Sequence, residues 1–480
     1  MIPGSDRAMR VITAVLIAVF FLSASLSGGP VMAAKDRDAE RTQSVEDRLE
    51  DLERQIQELQ RSLAVSKGDG ESVPGVDLAE LERRIEALSR EIERLRIGEA
   101  SVEATESTHG LGPAASKIYR ESKGVSIGGY GEMLYQANDS RRDDGSPSGK
   151  SDELDFLRAV FYFGYRFNDR MLFNSEIEFE HASTGKAGEA SVEFAYLDFL
   201  FKDEINARAG LLLVPMGFVN ELHEPPIFLG ATRPEVERSL IPTTWRENGA
   251  GVYGDLGSVS YRAYVINGMD GAGLQHSGFG AGGIRGGRQS GSKALSDDFA
   301  LTGRVDWKFG PGFSVGGSFY TGDSGQGAVA PTSGSSIEAK TDIVDLHAEW
   351  RWRGFEARAL IVDVDVDDAD LINDFQGFAG DDSVGSEMGG GYFQLGYDVL
   401  AGNSESGKAL IPFFRYEKLD TQRSVPTGFL RNPANDADIL TLGLSYKPIP
   451  NIAIKIDFQN FDNVAGTGTD RFNVAMGWLF

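Results

Sequence analysis

The sequence predicts an all-β chain: a closed, 16-stranded antiparallel transmembrane β-barrel preceded by a helical coiled-coil segment. Three observations point there. Apolar and polar side chains alternate in segments of about ten residues along most of the chain, the pattern of strands with one face to hydrocarbon and one to water. The connections between those segments alternate short and long. The last segment, Asp470–Phe480, ends on an aromatic, with Phe472, Val474, Met476, Trp478 and Phe480 on one face and Arg471, Asn473, Ala475, Gly477 and Leu479 on the other.

Composition narrows the alternatives. A net charge of −25 disfavours a nucleic-acid partner. Past the N-terminal leader no run reaches the ~18 consecutive apolar residues of a membrane helix, a filter that barrels pass beneath. The absence of cysteine excludes disulfides, thiolate metal sites and cysteine nucleophiles. Arg7 and Arg10 precede the apolar run Val11–Leu26, and Val31-Met32-Ala33 offers a small-residue cleavage site, so residues 1–34 read as a secretory signal peptide.

Residues 35–98 carry the coiled coil, with helices over about 44–65 and 77–97. Val45, Leu49, Leu52, Ile56, Leu59 and Leu63 recur at heptad spacing, as do Leu78, Leu81, Ile85, Leu88, Ile92 and Leu95, with Glu, Arg and Gln between them. Lys67-Gly68-Asp69-Gly70 and Pro74-Gly75 interrupt the register, leaving a broken coil or a hairpin open, and a spacer or a parallel trimer as its use. Residues 99–123, polar with Gly110, Gly112 and Pro113, read as a linker.

The barrel occupies 124–480, with strands expected at 125–136, 154–167, 170–182, 190–201, 205–213, 249–256, 258–267, 298–309, 312–321, 341–352, 354–364, 388–400, 409–420, 437–447, 450–461 and 470–480. Short links such as Asn168-Asp169, Gly257, Gly310-Pro311, Arg353 and Pro448-Ile449 read as periplasmic turns. An even strand count then places both barrel ends, and the coil, in the periplasm. Val344, Leu346, Ala348, Trp350 and Trp352 are expected to face lipid, with Asp345, His347, Glu349 and Arg351 facing the lumen. Two strands break phase: Glu193 with Asp198, and Glu356 and Arg358 with Asp363. A bulge in each would restore the pattern.

The connection 215–247 stands apart. Its Met216, Phe218, Leu222, Phe228, Leu240, Ile241 and Trp245 do not suit a mobile surface loop, so it is expected to fold into the lumen as the third loop. Its charges, Glu221, His223, Glu224, Arg233, Glu235, Glu237, Arg238, Arg246 and Glu247, would face water or wall charges there. The first four of these, with Glu235, Arg238 and Arg246, are the candidate constriction. The candidate pore wall is Arg158, Glu176, Glu178, Arg262, Arg304, Asp306, Glu349, Arg351 and Arg415. A polar inner face implies a water-filled or plugged channel for small hydrophilic solutes, with no cofactor.

Gly210-Leu-Leu-Leu-Val-Pro-Met-Gly-Phe218, Arg233-Pro-Glu-Val-Glu-Arg-Ser-Leu240 and Trp245-Arg-Glu-Asn-Gly-Ala-Gly-Val-Tyr-Gly-Asp255 resemble the phosphate-selective porin O and P family. The resemblance implies a homotrimeric, sixteen-stranded porin of the Gram-negative outer membrane. It also implies that the third loop forms the constriction and that the barrel-assembly machinery inserts the chain through its last strand, with Trp478 and Phe480 as signal. Phosphate selectivity in that family uses a lysine at the constriction. The loop here has none and carries at least as many Glu as Arg, so a cation-leaning field is expected. A phosphate- or anion-selective porin is the alternative, and a tether whose coil spans the periplasm to contact the cell wall is a third.

Other chemistry finds little support. The five histidines lack metal-ligand spacing, and no serine neighbours His347 in sequence. Asp363, Asp365, Asp367 and Asp374 echo a calcium loop without its glycine or its final Glu. Gly278–Gly291 reads as a flexible loop.

Overall fold

The computed structural model describes residues 107–480 apart from 122, 183–187 and 403–406, together with Asp51, Arg54, Gln55 and Gln57. Those four are helical, and Gln55 donates to Asp51 at 2.8 Å one turn away. The signal peptide and the rest of the two heptad helices lie outside the described residues. Among the described residues no helix is long and apolar enough to cross a membrane.

Alternating side chains become sixteen strands: β1 (Gly124–Asn138), β2 (Glu153–Asn168), β3 (Met171–Glu180), β4 (Ala190–Lys202), β5 (Ile205–Leu213), β6 (Arg246–Leu256), β7 (Val259–Asn267), β8 (Phe299–Phe309), β9 (Phe313–Gly322), β10 (Thr341–Trp352), β11 (Phe355–Val366), β12 (Glu387–Tyr397), β13 (Ala409–Ser424), β14 (Asp436–Ile449), β15 (Ile452–Asn463) and β16 (Arg471–Leu479). Each pairs antiparallel with its sequence neighbour, and β1 closes on β16 from Tyr130↔Leu479 to Asn138↔Arg471. Gly129 and Phe480 exchange both backbone hydrogen bonds, at 3.1 and 2.9 Å, so the C-terminal residue itself helps seal the ring. Closure leaves no free edge, the condition for a sheet to survive in hydrocarbon.

Connections at one end are tight, and those at the other are long. The exception is the link 398–408 between β12 and β13, long at the tight end.

The two strands that break phase resolve differently. In β4, Phe194 pairs with Glu176 and Val192 with Ile177, leaving Glu193 as the extra residue of a bulge that turns both Glu193 and Asp198 inward. In β11 the register is unbroken and no bulge exists. Asp363 instead points outward, 62% exposed on its side chain, and pairs with Arg423 at 2.6 Å near the long-loop end. It lies level with Val344 across the β10–β11 pair, at the upper margin of the apolar band, where Arg423 neutralises it.

That band is continuous on the outer face. Leu301, Val305, Val344, Leu346, Ile361, Phe393 and Leu442 are exposed, and Trp307, Phe309, Trp352, Phe355 and Tyr397 cluster toward the tight turns as an interfacial aromatic girdle. Leu346, 58% exposed, sits mid-strand between Gly317 and Ile361. Leu346→Arg should destabilise the barrel in lipid by about 2–4 kcal/mol. Urea unfolding from vesicles measures this, and an unchanged midpoint would show that the face does not meet hydrocarbon.

The long loops are packed. Phe279, Ile284, Ile337, Ile372 and Val384 are buried in one cluster with Val364 and Met388 of the wall. Gly278–Gly291 is therefore not the flexible loop its composition suggested: Phe279 anchors it, and Gln289 donates to Glu247 at 2.8 Å.

Candidate functional site

The third long loop (214–245, hereafter L3) folds inward and crosses the lumen. Its stem continues the β5–β6 ladder, Val214 N–H donating to Trp245 O at 3.0 Å, and Asn220 staples it by bonds to Val214 O, Trp245 O and Trp245 N at 2.6–2.9 Å. Arg246 and Glu247, expected in the loop, belong to β6, where they pair with Leu213 and Leu212.

From the stem the loop meets the wall in turn. Gly217 donates to Asp345 and accepts from Arg304, fixing it to β8 and β10. The Glu237 carboxylate accepts from Phe218 N, Val219 N and the Tyr392 hydroxyl at 2.7–2.9 Å, tying two stretches of the loop to β12. Glu221 faces Arg262 of β7 at 3.2 Å, and His223 meets Glu176 of β3 at 3.0 Å.

Beyond β3, Pro225 lies against Gly477 of β16, where a Cβ would come within 2.4 Å of the proline ring. Lys455 of β15 donates to Gly230 O at 2.9 Å with its ammonium 3.6 Å from the Phe228 ring centroid, and Asp457 accepts from Ala231 N at 2.6 Å. The short helix Glu235–Ser239 then rests on β12 and β13, with Glu417 accepting Val236 N at 3.1 Å and Arg471 reaching Glu235 at 2.6 Å. L3 thus touches both halves of the wall.

The structure buries Arg158, Glu176, Glu178, Arg262, Arg304 and Arg415, half-buries Asp306 and Glu349 and leaves Arg351 exposed, and nearly all of them are ion-paired. Arg158 lies between Glu132 and Glu178, at 3.2 and 3.0 Å. Arg262 and Arg304 share Asp306, at 3.4 and 2.7 Å. Arg415, 1% exposed, pairs with Glu417 at 2.8 Å. Glu349 binds Arg351 and Arg358 at the tight-turn mouth, where the Arg351 side chain is 48% exposed.

The loop charges are less free than expected. Glu221, His223, Glu224, Glu235, Glu237 and Glu247 are buried against wall or loop rather than facing water. Arg246 is buried on Glu193 at 2.9 Å. Arg233 and Arg238 stay partly exposed, Arg238 holding Glu235 at 2.6 Å and Arg233 leaving Nη2 without a hydrogen bond. A loop that crosses a lumen must satisfy its own backbone as well as the wall charges. Carboxylates do both by accepting amide hydrogens, and are drawn out of the water path.

Two groups were missed by sequence reasoning. Arg285 and Arg288, inside the glycine-rich loop 268–298, join Arg233, Arg238 and Arg246. Burial and the neighbouring guanidiniums push Arg285 down to about 9 and Arg288 down to about 10. Both stay charged at neutral pH, so guanidiniums gather above L3, with Glu193 and Glu247 beside Arg288. The signal was two arginines close together in a glycine-rich stretch.

The second is the segment 107–121, expected as part of a linker. Leu111, Ala114, Ala115, Ser116, Lys117 and Ile118 are buried inside the tight-turn end of the barrel. The Glu224 carboxylate accepts Ala114 N and Ala115 N at 3.0 and 3.1 Å, and burial holds that carboxyl up at about 7. Small residues allow the close approach: a Cβ at Gly112 would meet the Glu224 carboxyl at 2.4 Å. Composition alone cannot separate such a segment from a solvated linker, because both need glycine and few bulky side chains.

His347 has both ring nitrogens taken by carboxylates, Asp345 at 2.6 Å and Asp306 at 2.9 Å, and Ser318 bonds Asp345 rather than the imidazole. That arrangement leaves neither imidazole nitrogen facing a hydroxyl. The four aspartates that echoed a calcium loop do not converge: Asp363 binds Arg423, Asp374 binds Thr332, and the helix Ala369–Gln376 intervenes.

No protein-family model matches the chain. An uncharacterized protein of Aquifex aeolicus (strain VF5) is 39% identical over 396 residues, spanning 81% of this chain and 87% of that protein. The chain belongs to that protein's family. Among solved structures, Salmonella typhi OmpF in complex with daunomycin is 11% identical over 76% of this chain and 99% of its own, with a TM-score of 0.48. The outer membrane channel DcaP of Acinetobacter baumannii is 13% identical over 74% and 97%, with a TM-score of 0.47. The trimer form of Vibrio cholerae OmpT is 12% identical over 75% and 100%, with a TM-score of 0.46. Strand number and closure in this family member rest on its own pairing register.

Proposed function

We propose that the protein is an outer-membrane porin, a passive channel for small hydrophilic solutes or ions with a narrow, charge-tuned passage. One observation carries the reading: a closed ring of sixteen strands turns an apolar band outward and an ion-paired, charged face inward, with a folded loop across the bore. Charged groups cluster on the inside of a membrane barrel where water reaches them. With the wall charges largely covered by L3, the passage is narrow and single-channel conductance is expected to be small.

The net acidity of the barrel suggested cations. The placement of the charges favours anions instead, because L3's carboxylates are buried while Arg233, Arg238, Arg285 and Arg288 crowd its extracellular approach. Local cations outweigh a bulk field within a Debye length of about 8–10 Å. This reading joins the porin resemblance as an anion-selective channel; phosphate itself is one candidate solute. We extend the same reading to a homotrimer, inserted by the barrel-assembly machinery through Trp478 and Phe480, with the N-terminal coil in the periplasm.

Planar-bilayer recordings under a salt gradient test the sign. The wild type should reverse on the anion side, and replacing Arg233, Arg238 and Arg285 by Gln should move the reversal potential toward cations. Cation selectivity unchanged by those substitutions would sink the anion reading, and failure to conduct at all would sink the channel.

A further inference from the structure

The segment 107–121 is inside the barrel but is not part of its sheet. Its described ladder contact is its own bridge, Thr108↔Leu111. Much of what holds it is hydrogen bonding to groups that water can also satisfy. Glu224 accepts its two amides, Asn174 of β3 donates to Ala115 O at 3.0 Å, and Arg166 of β2 donates to Tyr119 O at 3.3 Å. The Tyr119 hydroxyl donates to Asp198 at 2.5 Å and accepts from Arg208 at 2.8 Å. Apolar contact adds to these bonds: Ile118 fills the notch left by Gly164, Leu111, Ala114 and Ala115 join the buried cluster, and the His109 ring lies 5.0 Å from that of Tyr253 on β6.

The surface behind it carries polar groups beside the aromatic ones. Asn174, Asp198, Arg208 and Glu224 would be hydrated rather than stranded if the segment left. The seated state carries a penalty of its own, since Lys117 Nζ is buried without a hydrogen bond. The segment is also the stretch of chain immediately before β1, so any pull on the preceding residues acts on it first.

We propose that residues 107–121 are a removable stopper, and that withdrawing them toward the tight-turn mouth opens a wider water path along the β1–β7 side of the lumen. The stopper rests on the channel reading above for its effect on current, but its movement can be read without current.

The absence of native cysteine makes the test clean. A Cβ at Gly164 would lie 2.9 Å from the Ile118 Cβ, so Ile118→Cys with Gly164→Cys closes a disulfide after a small outward relaxation toward the ~3.8 Å that a disulfide prefers. In the full-length protein in vesicles, Ile118→Cys alone should react within minutes with a membrane-impermeant maleimide, and faster still when Glu224→Ala removes the clamp. The oxidised pair should hold conductance at its lowest level and reduction should raise it, while a barrel lacking 108–121 should conduct several-fold more than wild type. Protection of Ile118→Cys for hours, with the same conductance oxidised, reduced and deleted, would make the segment a fixed part of the wall and overturn the proposal. Fast labelling without current in any variant would uphold the movement and reject the channel instead.

Discussion

Replacing residues 217–243 by a short Gly-Ser link should raise single-channel conductance several-fold and bring ion selectivity close to that of bulk solution. The link is geometrically permitted, because the β5–β6 ladder already closes at Val214 and Trp245, beneath the excised part. The barrel should survive, because the groups L3 now covers are those water can hydrate. Arg304, Asp345, Lys455, Asp457 and Glu417 lose loop backbone partners and gain solvent in the same step. An unsatisfied charge is expensive only while it stays buried. The apolar side of the loop, with Phe218, Leu240 and Ile241, leaves together with the loop, although Leu360 and Tyr392 of the wall lose cover. Conductance is the discriminating measurement, with heat-modifiable gel migration as the check on folding. An unchanged conductance in a folded barrel would mean that ions do not pass where L3 now lies.

How much of this was legible without coordinates depends on whether a residue's partner is set by the strand or by something crossing the bore. Strand alternation is local, so Val344 to Trp352 outside and Asp345, His347, Glu349 inside follow from the sequence alone, and the bulge at Glu193 follows from a parity conflict with Asp198. The same conflict in β11 misleads, because parity says nothing about height. Asp363 is outward, beside Val344 at the upper margin of the apolar band, with Arg423 as its partner. L3 announced itself by apolar residues that a solvated loop would not carry. Which way its charges turn was hidden, since Glu224 finds its partners 110 residues upstream in chain order and Asp457 finds Ala231 across the lumen. The segment 107–121 was least legible, because its burial depends on a cavity that many strands create together.

The largest expected loss of stability is at Arg208. Its guanidinium meets Asp198 in a two-pronged pair, Nε to Oδ1 at 2.7 Å and Nη2 to Oδ2 at 3.0 Å, with the carboxylate fully buried. It also stacks over Tyr196 and Tyr253, with ring centroids 4.0 and 4.7 Å away, while the Tyr253 hydroxyl donates to Asp198 at 2.7 Å. Arg208→Met keeps much of the volume but leaves that carboxylate with only tyrosine hydroxyls, and breaking one side of a buried pair costs about 3–5 kcal/mol. If the loss is mainly the stranded charge rather than lost packing, Arg208→Met combined with Asp198→Leu should recover a substantial part of it. Urea unfolding in lipid vesicles separates the two. A double variant no more stable than the single one would place the energy in the cation–π stack and in the Tyr119 contact that this guanidinium also holds.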